Sequence, residues 1–323
     1  MNSAFSLVTL LAATLLPAPL PALAQAYPLR PIRMIVAFPP GGSTDALARI
    51  ISPKLGDGMG QNWIVDNRGG AGGNVGAELV ARANPDGYTV LVAVDSQLTA
   101  NPILYKLPFS VEKDLQPITM LATAEQLLVV HPGVPANTLK EFIALAKQKP
   151  GALNYASAGV GSPIHLAAEL LKKRTGIEIT HVAYKGAGPA IAALLAGETQ
   201  VLAGSVASTI TFVQSGRLRA LAITGAKRSK SLPDLPTVAE SGYPGFEVTV
   251  WLGLLAPAAT PPSITERIRN EVIKALQNAD VQTAMARQAL AGETTTSVEL
   301  AARIKAESGM WAGIIKGAGI RLE

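Results

Sequence analysis

The residues best suited to chemistry in this chain lie in glycine loops that lead into helices. In Ile35–Arg49 an apolar run ends at two prolines and two glycines, and Ser43, Thr44 and Asp45 precede a helical pattern of apolar residues. The first N–H groups of a helix lack partners and carry partial positive charge. Because glycine lets a ligand approach the backbone, the stretch predicts an anion site. An ordinary strand-to-helix turn that binds nothing is the alternative.

The same arrangement recurs in residues 68–76, 158–163 and 185–189, each after a predicted strand. Strands that alternate with helices favour parallel α/β sheets, in which ligands bind beyond the carboxyl ends of the strands. Two loops precede the long apolar segment Ile118–Val130 and two follow it. We therefore expect two lobes that face each other across a cleft.

Several expectations concern individual elements. Pro53 should shorten or kink the first helix, and residues 97–118 should be irregular. The segment Ile118–Val130 is interpreted as one strand that passes between the lobes, and Phe246–Leu255 as the strand that returns. Amphipathic helices are expected at residues 263–279 and 298–316.

Composition narrows the class of protein. The 323 residues include no cysteine, and 28 Lys and Arg against 23 Asp and Glu are scattered along the chain. Nucleic-acid binding would need a clustered basic stripe, so it is not expected. Residues 1–24 carry no charged side chain, and Leu7–Leu16 followed by Ala22–Ala24 is typical of a secretory signal peptide cleaved before Gln25. An uncleaved membrane anchor is the alternative, although the apolar core is short for a span.

Nucleotide and metal motifs are incomplete. Val75 and Ile164 stand where the dinucleotide fingerprint needs glycine or alanine. No loop continues into Gly-Lys-Ser/Thr, and no G-x-S-x-G elbow is present. The three histidines lie in separate segments. His131 and His181, at strand ends, are more typical of structural residues, whereas His165 could contact a ligand or pack at a helix start.

Catalysis is the competing interpretation. Ser157, His165 and Asp45 are the residue types of a nucleophilic triad, but nothing in their spacing orients them. We therefore interpret the chain as a non-enzyme without catalytic residues, and keep an α/β hydrolase-like enzyme as an alternative.

Eight stretches, in order along nearly the whole chain after the signal peptide, carry a resemblance to a known family. They are Tyr27–Arg49, Asn67–Gly76, Ala83–Thr89, Leu153–Leu166, Val182–Gly186, Leu218–Ala222, Leu232–Gly242 and Trp251–Pro257. Together they resemble the Bug family, the extracytoplasmic solute receptors of tripartite tricarboxylate transporters.

This resemblance implies a type II periplasmic binding-protein fold, an α/β fold of two lobes joined by two crossing strands. Lobe 1 would comprise residues 25–124 and 251–323, and lobe 2 residues 125–250. In the family, the loops that match Phe38–Asp45 and Ser157–Ser162 grip a ligand carboxylate. Gly69, Val160 and Ala203–Ser205 depart from the family pattern, and the last two, expected near the pocket, bear on the identity of the ligand.

The loops and the resemblance together give a set of expected ligand-binding residues. They are Phe38, Pro40, Gly41, Gly42, Ser43, Thr44, Asp45, Gly73, Asn74, Ser96, Gln97, Ser157, Ala158, Gly159, Gly161, Ser162, His165, Tyr184, Lys185, Gly204 and Ser205. No cofactor, metal or nucleic-acid partner is expected.

The resulting hypothesis is a monomeric receptor in the periplasm that binds a small carboxylate and passes it transiently to transporter membrane subunits. A ligand sensor without a transporter is a further alternative. Segment 203–205 is Ala-Gly-Ser where the family often has an aspartate, so Asp95 is the remaining acid expected near the cleft. We therefore expect a preference for acids without an ammonium group, whose burial without a partner is costly.

Overall fold

The structure, a computed structural model, describes residues 27–229 and 231–318. The predicted signal peptide and its cleavage site lie outside the described residues.

Eleven strands and twelve α-helices form the described part of the chain. The strands are β1 (Ile32–Val36), β2 (Trp63–Asn67), β3 (Thr89–Val94), β4 (Leu115–Ala124), β5 (Gln126–Val130), β6 (Asn154–Ser157), β7 (Thr180–Ala183), β8 (Val201–Ser205), β9 (Arg219–Ile223), β10 (Val250–Pro257) and β11 (Leu290–Gly292). The helices are α1 (Ser43–Met59), α2 (Asn74–Ala81), α3 (Asp95–Thr99), α4 (Asn101–Leu104), α5 (Val111–Asp114), α6 (Leu139–Gln148), α7 (Pro163–Thr175), α8 (Ala187–Leu195), α9 (Val206–Gln214), α10 (Pro262–Gln277), α11 (Ala279–Arg287) and α12 (Ser297–Ala318). A 3₁₀ turn spans Ala71–Gly73.

Two sheets give the chain two α/β lobes. The first lobe surrounds a sheet of order β11-β4-β10-β3-β1-β2, and the second a sheet of order β7-β6-β8-β5-β9. The expectation of parallel sheets is wrong in part. β1 pairs in parallel with β2 and β3, and β6 with β7 and β8, but β10 is antiparallel to β3 and β4, and β5 is antiparallel to β8 and β9. The antiparallel strands β4, β5 and β10 are those at which the chain passes between the lobes.

The crossings differ in detail from the expected strands. Ile118–Val130 is divided at Glu125 between β4 in the first sheet and β5 in the second. The return strand begins only at Val250, while Val248 still donates its N–H to Thr224 O of the second lobe at 2.8 Å. The two crossings lie side by side, since Val250 at the start of β10 pairs with Ala124 at the end of β4.

Three helical expectations also need correction. α1 continues through Pro53 to Met59, because Leu47, Ile51 and Leu55 bury one face that offsets the hydrogen bond a proline removes. Residues 97–118 contain parts or all of three short helices. The segment 263–279 ends one helix and starts another, since Asn278 caps α11 with its side chain.

Each sheet has its own apolar core, and the C-terminal helix reaches both lobes. Along α12, Leu300 lies in the core of the first lobe, whereas Trp311 and Ile315 pack with Leu104 of α4 and Leu166 of α7. No helix of the described residues is long and apolar enough to cross a membrane.

Candidate ligand-binding cleft

A cavity of about 60 Å³ lies between the lobes above the crossing strands. It is lined by Phe38, Pro39, Gly42, Ser43, Thr44, Val94, Gln126, Ala158, Pro163, Ile164, Ala187, Ser205, Ser208 and Val250. Among the described residues, no acidic, basic or histidine side chain contributes to this lining. The cavity therefore offers hydroxyls, one amide, backbone groups and apolar surface to a ligand.

The start of α1 faces this cavity without a capping side chain. Gly42 is the N-cap residue in an extended conformation, and no described side chain accepts a hydrogen bond from the first turn. Gly42, Ser43 and Thr44 all line the cavity. The open N–H groups and the helix dipole give this turn the donors and the partial positive charge that favour an anion.

Asp45 stabilises the loop before α1 and does not line the cavity. Its carboxylate accepts hydrogen bonds from Gly41 N–H at 3.2 Å, from Arg49 Nε at 3.0 Å and from Asn67 Nδ2 at 3.1 Å. Although burial opposes ionisation, these bonds outweigh it and hold the pKa of Asp45 below its ordinary value. Asn67 also donates to Phe38 O, so the whole turn before α1 is fixed.

On the opposite lobe, the loop before α7 satisfies most of its own donors. Gly159 N–H donates to Ser157 Oγ at 3.1 Å, and Gly161 N–H donates to His165 Nδ1 at 3.2 Å. Ser162 caps α7 and donates its hydroxyl to Gly159 O at 2.7 Å. These glycines shape the wall of the cleft, and their N–H groups are already committed within the loop.

Behind this loop lies a buried aromatic stack. The His181 ring lies 4.5 Å from the His165 ring and 4.7 Å from the Tyr155 ring, centroid to centroid. Burial, reinforced by the nearby His181, lowers the pKa of His165 to about 4, so its Nδ1 stays free to accept from Gly161.

No triad forms from Ser157, His165 and Asp45. Ser157 Oγ lies 2.6 Å from Nε2 of His181, not His165, and Asp45 is paired with Arg49 on the other lobe. Ser157 is fully buried. Its hydroxyl holds the loop in place.

Two more helices of the second lobe reach the cavity. α8 starts at Ala187 without a side-chain cap, whereas Ser205 caps α9 by accepting from Ser208 N–H. The neighbouring Tyr184 is half-buried and Lys185 is exposed, and neither lines the cavity.

All four glycine loops converge where the lobes touch. A Cβ on Gly186 would lie 3.0 Å from Pro39 Cγ, and one on Gly72 would lie 2.6 Å from Val160 O, in each case on the opposite lobe. Across the same gap, Tyr105 donates its hydroxyl to Val160 O at 2.6 Å. The structure is thus a closed arrangement of the lobes.

Six of the expected binding residues line the cavity, namely Phe38, Gly42, Ser43, Thr44, Ala158 and Ser205. The other expected residues of these loops do not line the cavity: Gly41, Asp45, Ser157, Gly159, Gly161, Ser162 and His165 support the loops, Gly204 is buried beside Ser205, and Pro40 is exposed. Sequence reasoning missed Pro39, Val94, Gln126, Pro163, Ile164, Ala187, Ser208 and Val250. Only Gln126 carried a signal, since it interrupts an apolar strand.

The expected residues of the second glycine loop and of the segment after β3 form a separate buried network. Gln97 donates to Gly73 O at 2.7 Å and accepts from Val94 N–H at 2.9 Å. Asn74 Oδ1 accepts from Asn101 at 2.9 Å. Ser96 is buried nearby. This network holds the loop that approaches Val160, and it does not line the cavity.

The carboxylate expected in the cleft lies elsewhere. Asp95 is buried and absent from the cavity lining, and its charge interacts with Glu307 and Arg303 of α12. Burial, with a smaller contribution from Glu307, raises the pKa of Asp95 to about 8. Asp95 is therefore neutral at neutral pH, and no described side chain provides an anion for a ligand ammonium group at the cavity.

The buried Asp95 should make stability fall as pH rises. The pKa of Asp95 in the folded protein exceeds its value of about 3.9 in the unfolded chain. Asp95 therefore leaves the free energy of unfolding unchanged below pH 4 and lowers it as the pH rises towards 8. Asp95→Asn, which keeps the acceptor for Ser96 N–H, should raise Tm at pH 8.5 by on the order of 3 °C and change little at pH 4.

The control for this prediction is Asp57→Asn, which removes an exposed carboxylate of α1. Thermal melts of both variants across pH 4–9 make the comparison. Equal pH profiles for Asp95→Asn and the parent protein would contradict the assignment.

No group of three or more His, Cys, Asp and Glu that could hold a metal lies in the part of the chain that the structure describes.

The chain is similar to known proteins of one receptor family. Residues 47–320 match the model of the tripartite tricarboxylate transporter family receptor. Protein BugT of Bordetella pertussis is 38% identical over 305 residues, which cover 94% of each chain.

Two solved relatives carry carboxylates. An R. palustris protein solved with adipate has a TM-score of 0.88 at 32% identity, covering 91% of this chain and 99% of its own. MatC from Rhodopseudomonas palustris, with bound malate, has a TM-score of 0.85 at 31% identity, covering 90% of this chain and 100% of its own.

Proposed function

The chain belongs to the tripartite tricarboxylate transporter receptor family, and from this premise we propose that it binds a small organic carboxylate in the closed cleft described above. Its fold is the type II periplasmic binding-protein fold of that family, with two α/β lobes joined by two crossing strands. The relatives solved with adipate and malate support a carboxylate ligand for this chain as well.

One observation carries the proposal: the uncapped start of α1 forms one wall of a cavity to which no charged side chain of the described residues contributes. Free N–H groups and the Ser43 and Thr44 hydroxyls are the donors available there. Charge-assisted hydrogen bonds of this kind contribute about 1.5–3 kcal/mol each. The ligand carboxylate is assigned to this turn.

Family membership supports a proposal for the location of the protein and for its partners. We place the mature protein in the periplasm as a monomer, after cleavage before Gln25, and take membrane subunits of a tripartite tricarboxylate transporter as its transient partners. Lobe 1 is assigned to residues 25–124 and 251–323, and lobe 2 to residues 125–250. The separate sheets support this division, although α12 also packs on α7.

Thermal shift against a library of carboxylates tests the function. A ligand at 100 times its Kd stabilises the folded state by about 2.7 kcal/mol, so at least one acid should raise Tm by several degrees. The matched amide of that acid should have no effect, because it lacks the charge that the α1 turn recognises. Mass spectrometry should recover the acid unchanged. Equal shifts by acid and amide, or no shift by any acid, would refute the proposal.

A further inference from the structure

A buried amide in the cleft has no protein partner for its oxygen. Gln126 is 3% exposed, lines the cavity, and its Oε1 has no hydrogen-bond partner among the described residues. A buried acceptor left unsatisfied costs about 1–3 kcal/mol. Such a group, held at a ligand site, is suited to accept a hydrogen bond from the ligand.

The position of Gln126 is fixed by the crossing between the lobes. It is the first residue of β5 and lies directly opposite Ser205 in the antiparallel pair of β5 with β8. Its backbone carbonyl accepts from Thr224 N–H at 3.1 Å. The amide is therefore presented from a strand rather than from a loop.

Two hydroxyls stand beside it on the same wall. Ser205 and Ser208 both line the cavity, and their Oγ atoms lie 2.7 Å apart. The Ser208 hydroxyl already donates to Ser205 O at 3.0 Å, whereas the Ser205 hydroxyl can turn its hydrogen towards a ligand oxygen. Gln126, Ser205 and Ser208, here called the amide wall, belong to the second lobe, whereas the open turn of α1 belongs to the first.

We propose that the amide wall recognises a hydroxyl group on the ligand, so that the receptor prefers hydroxy acids to the same acids without the hydroxyl. This rests on the proposed function, with the ligand carboxylate at the start of α1. A ligand hydroxyl donates its hydrogen to Gln126 Oε1 and accepts one from the Ser205 hydroxyl. An ammonium group could also donate, but it would bring a charge into a lining in which the described residues provide no carboxylate to balance it.

Calorimetric titration of matched pairs tests the proposal. The pairs are malate and succinate, lactate and propionate, and 2-hydroxyglutarate and glutarate, with aspartate, alanine and glutamate as the ammonium counterparts. In at least one pair the hydroxy acid should bind the parent protein about tenfold more tightly than the plain acid, the value of one hydrogen bond to a buried acceptor.

Two substitutions assign that preference to the amide. Gln126→Met keeps the length of the side chain without its acceptor, so the ratio of hydroxy-acid affinity to plain-acid affinity should fall to about one, whatever the affinity for the plain acid becomes. Gln126→Glu places a carboxylate in the wall and should shift the preference from the hydroxy acid to the amino acid. Gln116→Met on β4, outside the cavity lining, is the control and should leave every ratio unchanged.

The possible results separate the proposed carboxylate function from the proposed role of the amide wall. Plain acids that bind as tightly as hydroxy acids in every pair would overturn the amide wall and leave the carboxylate function standing. A hydroxyl preference that survives Gln126→Met would overturn the role of Gln126. Absence of binding by every acid, in these pairs and in the thermal-shift library, would overturn both proposals.

Discussion

Replacing Gly161 by alanine should weaken carboxylate binding about 100-fold, because a side chain there obstructs closure of the lobes. A Cβ on Gly161 would collide with Asn101 Oδ1 and lie 3.1 Å from Tyr105 Cε2, both on the opposite lobe. Asn101 cannot move aside, since its amide donates to Gly72 O at 3.0 Å and to Asn74 Oδ1 at 2.9 Å. An overpacking cost of about 3 kcal/mol destabilises the closed form and lowers its population. The apparent affinity for the carboxylate falls in proportion to that population.

Gly176→Ala is the matched control for this variant. Both glycines have positive φ, 75° at Gly161 and 69° at Gly176, so both alanines meet the same backbone strain. Gly176, however, ends α7 with open space around its Cβ position. Both variants should therefore lose similar Tm without ligand, and only Gly161→Ala should lose affinity by calorimetry. Equal affinity losses would contradict the role assigned to this contact.

Much of the fold was predictable, because local signals mark its elements. The helix expected at residues 298–316 is α12 (Ser297–Ala318), and α1 begins at Ser43, directly after the predicted glycine turn. Thr138 caps α6 with its side chain, and Ser162 caps α7. Strand directions were not predictable in the same way. They depend on where a crossing strand returns, which is set by pairing between residues more than one hundred positions apart, as in β4 with β10.

The candidate site was predictable only where backbone chemistry forms it. Glycines and hydroxyls before a predicted helix identified Gly42, Ser43 and Thr44, which line the cavity. The same pattern also selected Gly161, whose N–H group is taken by His165. Whether a helix start stays open depends on side chains that arrive from other elements, and short-range patterns do not contain that information.

Residues of the crossing strands were missed for a related reason. Val94, Gln126 and Val250 line the cavity from the ends of strands β3, β5 and β10. In the sequence these strands are largely apolar, which is typical of a buried core. A buried strand and a cavity floor have the same apolar composition. Gln126 differs from its neighbours, but its meaning becomes clear only when its oxygen is found without a partner.

Replacing Gly42 by valine should weaken carboxylate binding by about 100-fold or more while leaving the fold intact. Gly42 has φ −94° and ψ 172°, which valine adopts without strain, and no atom lies within 4 Å of its Cβ position. The new side chain would instead occupy part of a cavity of about 60 Å³ and keep the ligand from the open N–H groups of α1. Loss of two charge-assisted hydrogen bonds costs about 3–6 kcal/mol, at least a hundredfold in Kd.

Gly309→Val provides the comparison, because Gly309 lies on the exposed side of α12 with the same open space around its Cβ position and outside the cavity. Calorimetry with the acid found by thermal shift measures both variants, and melts without ligand check that each is folded. Both should melt within about 2 °C of the parent protein, since surface substitutions usually change stability by less than about 0.5 kcal/mol. If Gly42→Val binds the acid as tightly as Gly309→Val, the carboxylate does not sit at the start of α1. The anion site would then have to be sought at the uncapped start of α8, where Ala187 reaches the same cavity.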